Sequence, residues 1–430
     1  MPRCRTYSPR WAYNKSMEQF EGQKPGLIRR VGALRYRGLR YVSQEVGPFE
    51  VLVGPNASGK STFLDVIALV RDFIRDGLDA ALLIGGKENG GRARDLGELI
   101  FNQEASHFEV ALDMTVPQQL VRESDLNGGP YRYDRARYDL AVGTTSTGEL
   151  DVLREELWIL DSRSDRGRTN VTMIGSAGPG NATYWAETER KGQVTRIGPR
   201  RSALSALPED PERFPIAIWV RDLLRDGVRT LALNSAAMRR PVSLVAPRQL
   251  RPDGGNLPLV VLGLKSEEHS GLYKDWVAHV QTILPEIRDV GVRKLPEDGR
   301  QYLAVSYQGK NEPVPSWLLS DGTLRLLALT LLPYLPDEPA IYLIEEPEDG
   351  LHPKAIEGVF QSLSSVYRGQ VFVATHSPMF VGLAEPSQLL CFSRTSTGAV
   401  DVVPGDRHPV LVDWRGQVDL ATLYAAGVLG

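Results

Sequence analysis

The chain has 430 residues, of which 42% are hydrophobic and 24% charged, with a formal net charge of -3. That composition is ordinary for a globular protein with a sizeable core, and the length suits two or three domains or one large split one. Near-neutral charge excludes a protein that coats nucleic acid over its whole surface, though not one with a local basic patch.

In chain order, residues 1–26 read as a loose arm. Ala33–Val42 and Phe49–Val53 read as strands, the second running into a glycine-rich turn. Ser61–Arg75 reads as a helix, with Phe63, Val66, Ile67, Val70 and Ile74 at helical spacing. Strand patterns follow at 107–115, Tyr138–Val142, Glu149–Leu160, Asn170–Ile174 and Asn181–Ala186, separated by Gly, Ser and Asp clusters, as in an antiparallel sheet. The apolar stripe over 213–238 predicts a helix. Residues 241–263 are rich in Pro and Gly and read as a loop with a short strand. A helix is expected at 270–285, strands near 289–295 and 301–307, and a helix at Thr323–Tyr334. Ile341–Ile344 and Val371–Ala374 are short apolar strands with a helical stretch (353–368) between them, which argues for a buried parallel sheet. Residues 400–430 show no clear pattern.

The two cysteines, Cys4 and Cys391, stand at opposite ends. They build no disulfide framework or zinc cluster, which suits a reducing compartment. No apolar run approaches the roughly 18 residues of a membrane helix. Met1–Lys24 lacks the apolar core of a secretory signal. A cytoplasmic protein with no membrane partner is expected.

Three stretches carry chemistry. Gly54-Pro55-Asn56-Ala57-Ser58-Gly59-Lys60-Ser61 fits G-x-x-x-x-G-K-[ST]. In that pattern glycines let backbone N–H groups curl round phosphates, Lys60 reaches the β- and γ-phosphates, and the Ser61 hydroxyl faces Mg2+. The pattern follows a strand and opens a helix, as the chemistry requires. ATP and Mg2+ are therefore the expected ligands. Ile341–Ile344 ends in Glu345 and Glu346. One acid is placed to hold hydrated Mg2+, and Glu346 is the candidate to polarise an attacking water. Val371–Ala374 ends in Thr375-His376-Ser377, at the strand end where parallel sheets place ligands. His376 is the candidate to donate to the γ-phosphate. A fourth stretch, Ser320-Asp321-Gly322-Thr323, precedes an apolar helix. By its residues alone it reads equally as a helix cap or as a helix end that meets phosphate.

Taken in order, these motifs resemble an ABC-type ATPase head. Gly54–Thr62 matches the Walker A loop and Leu319–Thr323 the ABC signature, with Asp321 and Thr323 where transporters use Gly and Gln. Ile341–Glu346 matches Walker B, with Glu345 in the usual Asp place. Residues 347–353 (PEDGLHP) resemble the D-loop, and Thr375–Pro378 the switch-histidine motif. SDGTLR, EEPEDGLHP and ATHSP together are closer to the RecF/SMC/OLD-like clade than to transporters, and are similar to AAA-type ATPases of prokaryotic defence modules such as Septu, Gabija and PARIS.

The resemblance implies an α/β fold: an ABC-type P-loop head split by a compact α+β insertion without a long coiled coil. It divides the chain into an arm (1–26), a first lobe (27–115), an insertion (116–299), a second lobe (300–405) and a tail (406–430). It implies a homodimer that sandwiches ATP, with Ser320 and Gly322 completing the partner's site, and gives Gln103 the Q-loop place on the metal side. It further implies a separate effector, such as a Toprim-like or HNH nuclease, since residues 377–430 contain no Asp-x-Asp. A RecF-like maintenance ATPase and an ATP-bound scaffold with little turnover are the alternatives. DNA is a weaker candidate partner, through Arg163, Arg166 and Arg168, through Arg190, Lys191, Arg196, Arg200 and Arg201, and through Arg239, Arg240, Arg248 and Arg251.

Overall fold

The computed structural model describes residues 26–83, 91–121, 123–124, 131–161, 171–176, 180–187, 192–198, 200–336, 339–412 and 418–429. The arm expected at 1–26, except Gly26, lies outside the described residues, as do Arg163, Arg166, Arg168, Asn170, Arg190 and Lys191.

The first strands are β1 (Ile28–Tyr36), β2 (Leu39–Glu45) and β3 (Phe49–Val53), followed by helices α1 (Lys60–Asp76) and α2 (Leu78–Leu82). A run of antiparallel strands comes next: β4 (His107–Thr115), β5 (Glu123–Ser124), β6 (Tyr131–Thr144), β7 (Leu150–Asp161), β8 (Val171–Ser176), β9 (Asn181–Trp185) and β10 (Gly192–Arg196). Helix α3 (Pro215–Asp222) leads to β11 (Val228–Leu231), and α4 (Ser235–Met238), α5 (Leu257–Leu264) and α6 (Ser270–Ile283) follow. Next come β12 (Ile287–Lys294), β13 (Gln301–Tyr307), β14 (Val314–Pro315), α7 (Asp321–Leu331), β15 (Ile341–Glu345), α8 (Pro353–Ser364), β16 (Gln370–Ala374) and α9 (Pro378–Gly382). The chain closes with β17 (Leu389–Arg394), β18 (Val400–Pro404), α10 (Pro409–Val412) and α11 (Leu420–Ala425).

Six strands form the central sheet in the order β11-β15-β16-β3-β17-β18. All neighbours are parallel except the β17–β18 hairpin. Side chains alternate across it, as they must on a pleated strand. Leu52, Leu343, Phe372 and Phe392 face one core, shared with α1 and the antiparallel sheet. Val51, Val53, Tyr342, Ile344 and Val373 face the other, shared with α6, α7 and α8. Each fully buried side chain of this size contributes about 1.5–3 kcal/mol. The second sheet runs β10-β9-β8-β7-β6-β4-β1-β2, with β5 beside β6. It is continuous across residue 116, where the first lobe was expected to end. Gln370 joins the two sheets. Its side chain accepts from the Ile28 N–H at 2.7 Å and donates to the carbonyls of Ile28 and Gly47 at 2.8 and 2.6 Å.

Three expected elements differ, and one hairpin was not expected. Ala33–Val42 is a hairpin: the chain reverses between Tyr36 and Leu39, with Arg37 at φ 49°. The helix expected at 213–238 ends early, passes through one wide helical turn at Leu223–Gly227, and becomes β11 and α4. Val228 and Leu231 are apolar because they pair with Ile341 and Ile344 inside the parallel sheet, so a strand's burial imitates a helical stripe. Residues 257–264, expected as loop or strand, form α5, with Pro258 in the first turn where its missing N–H costs nothing. Finally, β17 and β18 occupy a stretch where no strand was expected. The longest described helix, α1, has 17 residues, so nothing here resembles a long coiled coil.

Candidate functional site

Four neighbouring strands of the central sheet deliver the site at their carboxyl ends. β3 leads into the loop 54–59, β15 ends in Glu345, β16 leads to Thr375–Ser377, and β17 ends at Arg394. One cavity of about 430 Å³ is lined by residues 56–62, Glu345, Glu346, Ala374, His376 and Arg394. Residues distant in sequence thus converge because parallel strands share one open end.

The loop owes its shape to left-handed backbone at Ala57 (φ 60°) and Gly59 (φ 108°). Gly59 caps α1 through its backbone, so the first N–H groups of that helix face the cavity. A Cβ on Gly54 would lie 2.3 Å from the Phe392 carbonyl, so the loop runs against β17 too closely for any other residue. The Lys60 ammonium donates to the carbonyls of Gly54 (2.8 Å) and Pro55 (3.0 Å). Burial pulls its pKa down to about 8, against the opposing pull of Glu345 and Glu346.

Ser61 Oγ donates to Glu345 Oε2 at 2.8 Å. This bond brings the helix end of the loop and the end of β15 to one point. The pair suits a hydrated divalent cation that takes its remaining ligands from phosphates and water. Among the described residues no cluster of three or more His, Cys, Asp or Glu forms a metal cage, so two protein groups would have to share the ion with a substrate.

Glu346 adopts φ 48°, uncommon for a residue other than glycine. Its N–H donates to the Ala374 carbonyl at 2.8 Å, extending the β15–β16 pairing by one residue while the side chain turns to the cavity. Glu348 was not singled out in the sequence. Its Oε1 accepts from Thr375 Oγ1 (2.5 Å), the His376 N–H (3.3 Å) and the Ser377 N–H (3.2 Å). One carboxylate therefore fixes the whole segment that carries His376. The tail also reaches the site: α11 packs on α9, and Tyr424 OH donates to the Gly54 carbonyl at 3.3 Å.

Five candidate residues do not line this cavity: Gly54 and Pro55, which lead into the lining stretch, and Ser320, Gly322 and Gln103. Ser320 caps α7, its Oγ accepting from the Thr323 N–H at 3.1 Å. A Cβ on Gly322 would lie 2.5 Å from the Gly350 carbonyl, so the signature-like turn and the 347–353 segment touch backbone to backbone. Arg325 reinforces that contact through the Asp349 carboxylate (3.0 Å) and carbonyl (3.1 Å). Gln103 ends a short turn at φ 56°, with its amide beside Gly97 and outside the cavity lining. Of the basic groups, Arg200 pairs with Asp79 at 3.0 Å, Arg251 with Asp253 at 3.1 Å, and Arg239 with Asp321.

Sequence reasoning found the loop, both acids and the histidine because each sits in a contiguous motif. It missed Arg394. The available signal was the apolar run Leu389–Phe392, which has the form of the other buried strands and ends beside a cation.

A glycine-rich loop closing on paired acids and a histidine over a parallel sheet defines a P-loop nucleotide-binding head. The fold agrees: an SmcHead crystallised with the C-winged helix domain of ScpA matches with a TM-score of 0.52 at 15% identity, over 87% of this chain and 97% of that one. An Smc head domain from Pyrococcus furiosus, with an extended coiled coil and bound to the C-terminal domain of ScpA, gives 0.49 at 15% identity, over 87% and 95%. The SMC head domain from Thermotoga maritima gives 0.41 at 14% identity, over 88% and 98%. The first match carries the fold assignment, a mixed α/β head of the SMC and ABC kind, and at that identity it speaks to fold alone. The family described as "AAA domain, putative AbiEii toxin, Type IV TA system" matches residues 49–115 and 195–382, more than half of the chain. The chain belongs to this family of AAA-type ATPase domains. No curated protein matches it.

Proposed function

We propose that the chain binds and hydrolyses ATP in this cavity, as a homodimer that regulates or scaffolds a separate effector. The observation that carries the reading is the Ser61–Glu345 hydrogen bond at 2.8 Å. It closes the loop onto the acidic strand end, where a triphosphate and its cation would meet.

In this reading the N–H groups of residues 56–62, which line the cavity, cradle the phosphates. Lys60 exchanges two loop carbonyls for the β- and γ-phosphates, a stronger, charge-assisted bond. Ser61 and Glu345 hold Mg2+, which when bound supplies charge neutralisation along the phosphate chain. Glu346 orients and deprotonates the attacking water, and His376 donates to the γ-phosphate as charge gathers there. Glu348 holds His376 in place. Gln103 is given no contact in this conformation.

Ser320 and Gly322 lie outside their own chain's cavity, which supports a site completed by the α7 end of a second copy. Two further points support an effector. The family's description names a putative toxin of a type IV toxin–antitoxin system, and the first SMC head is bound to another protein. Defence against phage through a nuclease partner fits both. The RecF-like alternative needs a DNA surface: Arg200, Arg239 and Arg251 pair with acids of their own chain, while Arg196, Arg201, Arg240 and Arg248 are exposed.

ATP should double the mass of the wild type in light scattering, and Lys60→Ala should lose both tight ATP binding and that doubling. Retained affinity would contradict the reading. Capture of the chain from its native host should recover a nuclease in equal amount; recovery of repair proteins alone would favour the alternative.

A further inference from the structure

The order of strands at the site sets the direction of any phosphate chain. Glu345 and Glu346 close β15 and His376 follows β16, both on one side of β3. β17 lies on the other side, with Cys391 in register with Val53. Arg394 is the last residue of β17, exposed, and lines the same cavity. Its Nε donates to the Ala57 carbonyl at 2.7 Å. The hairpin that carries it is seated on the loop, because a Cβ on Gly59 would lie 2.5 Å from Val400. Among the described residues no carboxylate pairs with Arg394, and besides Lys60 it is the one Lys or Arg in the cavity lining.

We propose that Arg394 is a nucleotide-binding residue that receives the α-phosphate, at the end of the cavity opposite the two acids. The assignment rests on the cavity being the nucleotide site. With the γ-phosphate at Glu346 and His376, the α-phosphate and nucleoside must extend toward β17. A guanidinium has five donors in a planar fork. Nε holds the loop carbonyl at Ala57, where the left-handed backbone needs fixing, and the terminal nitrogens meet phosphate oxygens. Arg394 therefore recognises what ATP and ADP share.

The test is calorimetric titration of the full chain with Mg-ATP and with Mg-ADP, for the wild type, Arg394→Gln and Arg394→Lys. The Gln side chain keeps a donor for Ala57 but carries no charge. Its affinity for both nucleotides should fall by the same factor, about tenfold or more, as expected for losing a charged phosphate contact. Lys, which keeps the charge, should lose less. The Gln variant should melt with the wild type, since the side chain is exposed. Unchanged affinity in Arg394→Gln would leave only a loop-fixing role and overturn the proposal. Weakened ATP with unchanged ADP would place Arg394 at the γ-phosphate and overturn it equally. Lys60→Ala separates the two levels. If it loses binding while Arg394→Gln does not, the nucleotide site stands and Arg394 falls. If the wild type binds no nucleotide, both fall.

Discussion

Glu50 shows how much a single residue can hide. It stands in Phe49-Glu50-Val51-Leu52-Val53, on the central strand, and is only 4% exposed. Gly47 N–H donates to its Oε1 at 2.5 Å, while Oε2 is buried with no partner. Burial raises its pKa to about 8, and Asp406 adds to the shift. An unfolded chain would titrate this group near 4.5. Between those values the folded state holds a proton that the unfolded state has lost, so stability falls as pH rises from about 4.5 to 8. Glu50→Gln, which mimics the protonated form, should raise the melting temperature at pH 8 and leave it nearly unchanged at pH 4.5, by thermal denaturation. An equal effect at both values would show that Glu50 does not titrate in this window. Nothing in the sequence flags Glu50, since one acid in a five-residue apolar run also fits a strand edge. By contrast Lys60, Ser61, Glu345, Glu346 and His376 were legible, because each lies within a contiguous motif.

Elements were legible where their period was clean and obscured where packing overrode it. α1, β13 and β15 follow the pattern of their own residues. β11 does not, because Val228 and Leu231 are apolar for the sake of β15, a partner more than a hundred residues away. The β17–β18 hairpin is a different case: the apolar run Leu389–Phe392 has the form of a buried strand but was not read as one, and Arg394 went unseen with it. The 347–353 segment shows what tertiary contact adds to a motif. Its Glu348 holds Thr375, His376 and Ser377 together, while Gly350 and Asp349 touch Gly322 and Arg325. The signature-like turn and the histidine segment are thus tied through one short stretch of chain. Glu348 is a positioning residue, since it acts on the cavity through His376. Glu348→Ala should lower kcat for ATP by about ten- to a hundredfold, the size expected when a catalytic group is misplaced, and change Kd by less than about threefold. A Kd loss as large as the kcat loss would show that Glu348 supports the fold of the loop instead.

At the scale of the molecule, two sheets share one core, and the central parallel sheet separates that core from a second one under α6, α7 and α8. The sequence divides into lobes and an insertion, yet β4 and β6 pair through nine residues without a break at 116. β11 joins the sheet that carries the site, although it comes from within the stretch read as insertion. That residues 116–299 sustain no heptad was legible from their prolines. The continuity of the sheet was not, because strand pairing between distant segments leaves no local pattern.

The central claim is that this cavity hydrolyses ATP and that Glu346 is the group that activates water. Steady-state phosphate release by Glu346→Gln, measured beside its ATP affinity, tests it most directly. The amide keeps the shape of the side chain and its place after β15 but cannot take a proton, a role that contributes about 10²–10⁴-fold. Turnover should fall by about a hundredfold or more while ATP is bound at least as tightly as by the wild type. Unchanged turnover with normal binding would contradict the account and move the catalytic carboxylate elsewhere.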